Sequence, residues 1–160
     1  VRILIAEDNK VNQKVLKRML ETLGYSDISV VWNGQEAVDA VKASWDKFLL
    51  QPSAGGLFDI VLMDCLMPVM DGWTATEAIR TLEEEKLAEA QALSPNCPAV
   101  LEAQASIVLA LTANATKEDK SRCCDCGMDG FYTKPLSRDT LNAAMLHWVS
   151  VLFGDDADVS

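Results

Sequence analysis

Ile60-Val61-Leu62-Met63-Asp64 is a short apolar run that stops at an acidic residue. A continuous apolar run of this length is typical of a strand that is buried on both faces. Strands of that kind belong to parallel sheets, because helices cover both faces of such sheets. The run therefore predicts a strand of a parallel α/β sheet, with Asp64 at its carboxyl end.

Three other apolar runs stop at side chains that carry charge or donate a hydrogen bond. Residues 2–6 lead into Glu7 and Asp8, residues 107–111 into Thr112, and residues 130–133 into Lys134. A fifth run, residues 28–32, ends without a charged group. The carboxyl ends of strands in a parallel α/β sheet meet at one edge. We therefore expect three carboxylates, one hydroxyl and one ammonium to share a cleft.

The segments between these runs have helical spacing. In the first segment Val11, Val15, Met19 and Leu23 recur every four residues, and Gly24 follows where a helix carboxyl-terminal cap belongs. The other predicted helices cover residues 35–50, 72–92, 116–126 and 138–153. Strand and helix alternate five times, which predicts right-handed crossovers and a parallel sheet with helices on both faces.

The length of 160 residues and the apolar content of 49% fit one compact domain. We assign residues 1–153 to this domain and residues 154–160 to an acidic carboxyl-terminal tail. Two segments, near residues 43–57 and 83–105, are longer than a minimal strand–helix unit requires. Both precede a strand, so we expect these insertions at the edge of the sheet opposite the cleft.

Net charge and hydropathy limit the classes of function that this chain can have. Fourteen basic and twenty-four acidic residues give a net charge of −10, which disfavours direct nucleic-acid binding. No run of eighteen apolar residues and no signal-peptide pattern occurs, so we expect a cytoplasmic domain without membrane contact. Since the chain opens directly in a strand, we expect a piece of a longer polypeptide. The five cysteines lack a paired metal-binding motif and are expected to be reduced and packed.

The acidic side chains predict a metal site. Glu7, Asp8 and Asp64 would repel one another within a few ångströms, and a hard divalent cation relieves that repulsion. Mg²⁺ prefers oxygen ligands and keeps several waters. We assign Asp8 and Asp64 as direct ligands, Glu7 as a ligand through water, and the backbone carbonyl of Leu66 as a neutral ligand.

Asp64 is the central acid, so it is the candidate to attack a phosphoryl group and carry it as an acyl phosphate. The Lys134 ammonium and the Thr112 hydroxyl, together with the Ala113 backbone amide, would balance the charge on the phosphoryl oxygens. Pro135 follows Lys134, and a cis peptide bond there would direct the lysine.

Four fragments, in this order, resemble the receiver domain of two-component response regulators. They are ILIAEDNKVNQ at residues 3–13, MDCLMPVMDG at 63–72, ALTA at 110–113 and KP at 134–135. The chain is most similar to receivers fused to eukaryotic hybrid histidine kinases of plants or fungi, over nearly its whole length. The resemblance implies a flavodoxin-like fold of five βα units with strand order 2-1-3-4-5.

The resemblance also implies a role in a multistep phosphorelay. Asp64 would accept a phosphoryl group from a histidine of a kinase domain and pass it to a histidine-containing phosphotransfer protein. The domain would catalyse its own phosphoryl transfer but act chiefly as a phosphoacceptor, and its parent chain would be a histidine kinase. Asn12 and Gln13, on the first helix beside the cleft, are candidates for contact with a partner.

A switch is implied as well, in which Thr112 moves toward the phosphoryl group and an aromatic side chain of the fifth strand turns inward. Phe131 matches that aromatic position. Tyr132 would take its place only if the strand register slipped, because side chains alternate between faces. A static phenylalanine in the core is an equally consistent interpretation.

Three other functions fit the residues less well. An aspartyl phosphatase would need a second Asp two residues after the first, where Leu66 stands. A nucleotide or flavin binder would need a loop that cradles phosphate, but Glu7-Asp8-Asn9 repels it. A purely structural module has no use for three clustered acids. The apolar Leu66 also cannot orient an attacking water, which predicts slow spontaneous loss of phosphate. Asn114, two residues after Thr112, is polar and could act in the opposite direction, so the sequence does not fix the absolute lifetime.

Overall fold

The computed structural model describes residues 1–154 and contains one five-stranded parallel sheet in that range. The strands are β1 (Arg2–Ala6), β2 (Asp27–Val31), β3 (Ile60–Asp64), β4 (Ile107–Thr112) and β5 (Gly130–Thr133). Their order is β2-β1-β3-β4-β5, and all neighbouring pairs are parallel. The predicted fold class and strand order are confirmed. Apart from Gly154, the acidic tail assigned above lies outside the described residues.

Helices connect the strands. They are α1 (Lys10–Thr22), α2 (Gly34–Leu50), α3 (Gly72–Leu93), α4 (Pro98–Glu102), α5 (Lys117–Cys126) and α6 (Arg138–Phe153). α1 and α6 contact each other on one face of the sheet, whereas α2, α3 and α5 pack in sequence on the other. Within residues 1–154, the prediction missed the short α4 and a 3-10 turn at Pro52–Ala54. No helix in the described part of the chain is long and apolar enough to cross a membrane.

Each strand divides its side chains between two apolar cores. In β1, Ile3 and Ile5 face α1 and α6, whereas Leu4 and Ala6 face α2 and α3. All four side chains are completely buried. Burial of each isoleucine or leucine contributes about 1.5–3 kcal/mol to folding. The central strands are therefore fixed on both faces, so their carboxyl ends form a rigid platform.

The apolar repeat of α1 identified the helix but not its buried face. Val11 and Val15 are 67% and 52% exposed, and the buried residues are Gln13, Leu16 and Leu20. An α-helix has 3.6 residues per turn, so a strict four-residue repeat drifts about 40° at each step. Toward the amino-terminal turn of α1 the repeated positions have therefore rotated away from the buried face, and Val11 and Val15 lie on the surface.

The two longer segments lie at the amino-terminal edge of the sheet. α2 is followed by a 3-10 turn at Pro52–Ala54, and α4 packs against that turn and against α3. Arg80 and Glu83 of α3 tie this edge together. The Arg80 guanidinium donates to Glu83 Oε1 at 2.9 Å and to the Ser106 carbonyl at 2.7 Å. Glu83 belongs to a charged stretch, yet it is only 4% exposed because Ser106 donates two hydrogen bonds to it.

Candidate functional site

Hydrogen bonds beyond the strand ladders align the strand ends at the carboxyl edge of the sheet. The backbone N–H of Glu7 donates to the Val31 carbonyl at 3.1 Å, and that of Cys65 donates to Leu111 at 3.0 Å. The N–H of Lys134 donates to the Thr112 carbonyl at 2.7 Å. Residues that follow β1, β3 and β5 are thereby held beside the carboxyl ends of β2 and β4 at one edge.

Three carboxylates meet at this edge. Glu7, Asp8 and Asp64 each place an oxygen within 4.8 Å of the others. Glu7 and Asp64 are only 2% and 6% exposed, whereas Asp8 is exposed to solvent. A set of carboxylate oxygens open to water on one side suits a hard divalent cation that keeps part of its hydration shell. The donor set therefore fits Mg²⁺, as predicted from the sequence.

Lys134 bridges two of these carboxylates. Its Nζ lies 2.6 Å from Glu7 Oε2 and 3.0 Å from Asp64 Oδ2. Burial alone would lower the pKa of Lys134, but the hydrogen bonds to Glu7 and Asp64 outweigh it and raise the pKa. The side chain is therefore a permanent cation next to Asp64.

Asp64 has an unusual proton affinity. Burial raises its pKa to about 6, against the opposing effect of the hydrogen bond from Lys134, and the negative charge of Glu7 adds to the rise. The backbone N–H of Leu66 also donates to Asp64 Oδ1, at 3.3 Å. Added positive charge at the site would favour the carboxylate form, which is the nucleophilic one.

Glu7 is held more tightly than the sequence suggests. Besides Lys134, it accepts hydrogen bonds to Oε1 from the Asn9 backbone at 3.2 Å and from Asn12 Nδ2 at 3.4 Å. Gln13 donates through Nε2 to the Glu7 backbone carbonyl. Gln13 is therefore buried and cannot be the partner contact that the sequence suggested, whereas Asn12 is exposed. No sequence pattern indicated these contacts, because they depend on how α1 is rotated over β1.

Thr112 lies at the same edge, but its hydroxyl forms its hydrogen bonds with Asn114 in its own loop. The Oγ1 donates to the Asn114 carbonyl at 3.1 Å and accepts from the Asn114 N–H at 3.2 Å. Ala113, between them, is exposed. The hydroxyl is thus held within its own loop and would have to rotate to reach a group on Asp64.

β5 places its two aromatic residues on opposite faces. Phe131 packs against the core beneath α3 and α5, and the Lys120 ammonium lies 5.6 Å from its ring centre. Tyr132 packs on the α6 side, where its hydroxyl accepts from Trp148 Nε1 at 2.9 Å. The strand register is therefore the expected one. The Lys134–Pro135 peptide bond is cis, as anticipated.

The loop after β3 packs closely on the backbone of Asp64. Asp71 caps α3 by accepting from the Thr74 N–H at 2.8 Å, and the Gly72 N–H donates to the Cys65 carbonyl at 2.9 Å. A Cβ on Gly72 would lie 2.3 Å from the Asp64 carbonyl oxygen. Only glycine allows α3 to begin this close to Asp64.

The five cysteines are free thiols in the described residues. Cys65, Cys123 and Cys126 are buried in the core beside the site, and the Trp73 indole donates to Cys123 Sγ at 3.3 Å. Burial raises the pKa of Cys65, and it raises the pKa of Cys126 to about 11. The thiols of Cys65 and Cys126 are therefore protonated and serve as packing groups.

Comparison with known proteins agrees with this geometry. Residues 3–88 match the family model of the response regulator receiver domain. Hybrid signal transduction histidine kinase B of Dictyostelium discoideum is 37% identical over 145 residues, which are 91% of this chain and 6% of that kinase. The chain likewise corresponds to 10% of the osmosensing histidine protein kinase SLN1 of Saccharomyces cerevisiae and 17% of Two-component system protein A of Emericella nidulans, so it spans only a small part of these relatives.

Solved structures are similar over the whole domain. The receiver domain of the histidine kinase CKI1 from Arabidopsis thaliana, complexed with Mg²⁺ and BeF₃⁻, has a TM-score of 0.75 and 27% identity, covering 93% of this chain and 89% of that chain. The receiver domain of Ssk1 from Saccharomyces cerevisiae, crystallised with the histidine phosphotransfer protein Ypd1, has a TM-score of 0.75 and 28% identity. This match covers 97% of the chain and 93% of that chain.

The family model spans more than half of the chain, and the five-stranded fold agrees with the solved receiver-domain structures. The chain belongs to the response regulator receiver domains, and its relatives include those of hybrid histidine kinases.

Proposed function

We propose that this domain is the phosphoacceptor of a multistep phosphorelay. Asp64 accepts a phosphoryl group from a phosphohistidine and passes it to the histidine of a phosphotransfer protein. The observation that carries the proposal is the position of Asp64 Oδ2, 3.0 Å from the Lys134 ammonium and within a cluster of three carboxylates. A carboxylate beside a fixed cation is suited to hold a dianionic group.

The nucleophile is the carboxylate of Asp64. As its oxygen bonds to phosphorus, the bond between phosphorus and the donor imidazole nitrogen breaks, and the imidazole takes a proton from solvent. The reverse sequence, with a second histidine as nucleophile, removes the phosphoryl group. The other residues form no covalent bond in this reaction. They position the phosphoryl group and balance its charge.

Mg²⁺ fits the oxygen ligands of this edge. Asp8 and Asp64 would hold it directly, Glu7 through water, and Leu66 through its backbone carbonyl. When bound, it supplies positive charge that offsets the repulsion between the carboxylates and the phosphoryl oxygens. The CKI1 receiver, which is bound to Mg²⁺ and BeF₃⁻, supports this assignment by its similarity.

Lys134 and Thr112 bind the phosphoryl group. Lys134 exchanges its contact with Asp64 for a phosphoryl oxygen and keeps Glu7 as its other partner. The Thr112 hydroxyl leaves Asn114 and, with the Ala113 amide, binds a further oxygen. Movement of Thr112 favours inward packing of Phe131, which is only partly buried in this structure. Two conformations of this surface then report whether Asp64 is phosphorylated.

The partners are a histidine kinase domain and a histidine-containing phosphotransfer protein. Support comes from the exposed Val11 and Val15 on α1 and from a cavity of about 310 Å³ between α1 and the residues after Lys134. The cavity reaches Glu7 and Lys134, so an apolar side chain of a partner would seal the cleft from water. The similarity to the Ssk1 receiver, which is bound to Ypd1, also favours this kind of partner.

The domain would comprise residues 1–153 and form the cytoplasmic part of a larger sensor kinase. Since the related kinases are many times longer than this chain, the kinase activity belongs to other parts of such a protein. The segments near residues 43–57 and 83–105 would be insertions outside the chemistry, since each precedes a strand and the acidic cluster follows the strands at their carboxyl ends.

The test is phosphorylation by a small-molecule phosphodonor with Mg²⁺, followed by intact-mass measurement. We expect one phosphoryl adduct on the wild type and none on Asp64→Asn. Asp125→Asn is the matched control, because Asp125 is an exposed aspartate on α5. An adduct that persists on Asp64→Asn, or that forms equally without Mg²⁺, would contradict the proposal.

A further inference from the structure

Gln13 is a buried polar residue that the transfer mechanism does not use. It is 9% exposed, and its Nε2 donates to the backbone carbonyl of Glu7. Its own backbone N–H donates to the Asn9 carbonyl at 2.9 Å, in the first turn of α1. Gln13 therefore connects α1 to the peptide that joins the two acids, Glu7 and Asp8.

That peptide group decides where Asp8 points. The Glu7 carbonyl belongs to the same rigid plane as the Asp8 N–H, so holding the oxygen fixes the start of residue 8. Among residues 1–154, the structure records no hydrogen bond or ion pair to the Asp8 carboxylate, which is exposed. Its direction is thus set by the backbone, and the backbone is held by Gln13 and by the bond from the Glu7 N–H to Val31.

We infer that Gln13 is a positioning residue that sets the cation affinity of the Glu7, Asp8 and Asp64 cluster. This inference rests on the proposed function, since it concerns the same Mg²⁺ site. Without the Gln13 amide, the buried Glu7 carbonyl has lost its partner and turns to find water. The turn swings Asp8 away from Asp64 and loosens the cluster, whereas Lys134 and Asp64 keep their places.

The test compares Mg²⁺ binding by calorimetry in the wild type, Gln13→Met and Gln13→Asn. Methionine has a similar length without a donor, and asparagine stays polar but is one methylene too short. Loss of an outer hydrogen bond at a metal site typically costs ten- to a hundredfold in affinity, so we expect at least about tenfold weaker binding. At saturating Mg²⁺ the rate of phosphorylation by a small-molecule donor should return to within about twofold of the wild type.

Leu20→Ala is the control for a purely structural effect. Leu20 is fully buried on the same face of α1 about two turns beyond Gln13, so the variant should lose stability but keep its Mg²⁺ affinity. Binding within twofold of the wild type in either folded Gln13 variant would overturn the inference. A phosphorylation rate of the Gln13 variants that stays below that of the wild type at saturating Mg²⁺ would also overturn the inference. If the wild type itself binds no Mg²⁺, both the proposed function and the inference about Gln13 are contradicted.

Discussion

At the scale of single residues, the proton affinity of Asp64 has a consequence for stability. Burial raises its pKa from 3.8 to about 6, in spite of Lys134. A raised pKa means that the protonated form favours folding. This contribution is complete below pH 3.8 and is lost as the pH rises through about 6. At neutral pH the ionised Asp64 therefore destabilises the cation-free domain.

Asp64→Asn removes that ionisation. We expect the variant to be about 1–2 kcal/mol more stable than the wild type at pH 7.5, and the gain to shrink at pH 4.5. Urea unfolding in the presence of a chelator measures both values. Asp125→Asn, with an exposed carboxylate, should show no such gain. A gain that grows on acidification would contradict the assignment of a raised pKa.

Leu66 should control the lifetime of the phosphorylated state. Its side chain is 60% exposed beside Asp64, where it offers no group to orient water. We expect Leu66→Gln to be phosphorylated normally but to lose the phosphoryl group about tenfold faster, because a positioned polar group assists the attack of water. Leu66→Met keeps the site apolar and should match the wild type. The decay of the intact-mass adduct gives the rates, and equal rates in all three proteins would refute the expectation.

At the scale of elements, the edge opposite the cleft should determine stability without affecting the chemistry. Arg80 joins α3 to the amino-terminal edge of the sheet through Glu83, Ser106, Gly127 and Asp129. Arg80→Met would leave Glu83 buried without a cation. We expect a loss of about 3 kcal/mol in the free energy of unfolding, by denaturant titration.

Two comparisons show whether this effect is local. Arg18→Met, on the exposed face of α1, should change stability by less than about 0.5 kcal/mol. Arg80→Met itself should bind Mg²⁺ with wild-type affinity, since no atom of its network touches the acidic cluster. Weakened Mg²⁺ binding in the folded variant would mean that the two edges of the sheet are coupled.

The elements were largely predictable, but their rotations were not. The three central strands were visible as apolar runs, because burial on both faces leaves no room for polar alternation. Which side of α1 faces the sheet depends on tertiary packing, so the sequence pattern favoured Val11 and Val15, which are exposed, and missed Gln13. The burial of Glu83 also could not be predicted from the sequence, because it depends on packing against Ser106, which lies after α4 in the chain.

At the scale of the whole molecule, the parallel topology brings the candidate site together. Glu7, Asp8, Asp64 and Lys134 are far apart in sequence, yet strand ends of a parallel sheet meet at one edge, so their proximity could be anticipated. The pairing of Glu7 with Lys134 and the hydrogen bonds of the Thr112 hydroxyl to Asn114 could not be anticipated. These two interactions depend on side-chain rotamers, which are determined by tertiary packing at the carboxyl edge of the sheet.

The most direct measurement is transfer from a phosphohistidine. Radiolabelled phosphate on the histidine of a phosphotransfer protein is mixed with the domain and Mg²⁺, and the label on each protein is followed with time. We expect label to leave the histidine and appear on the wild type and on Asp125→Asn, but not on Asp64→Asn. Label that stays on the histidine with the wild type, or that reaches Asp64→Asn as readily, would contradict the assignment of Asp64 as the phosphoacceptor.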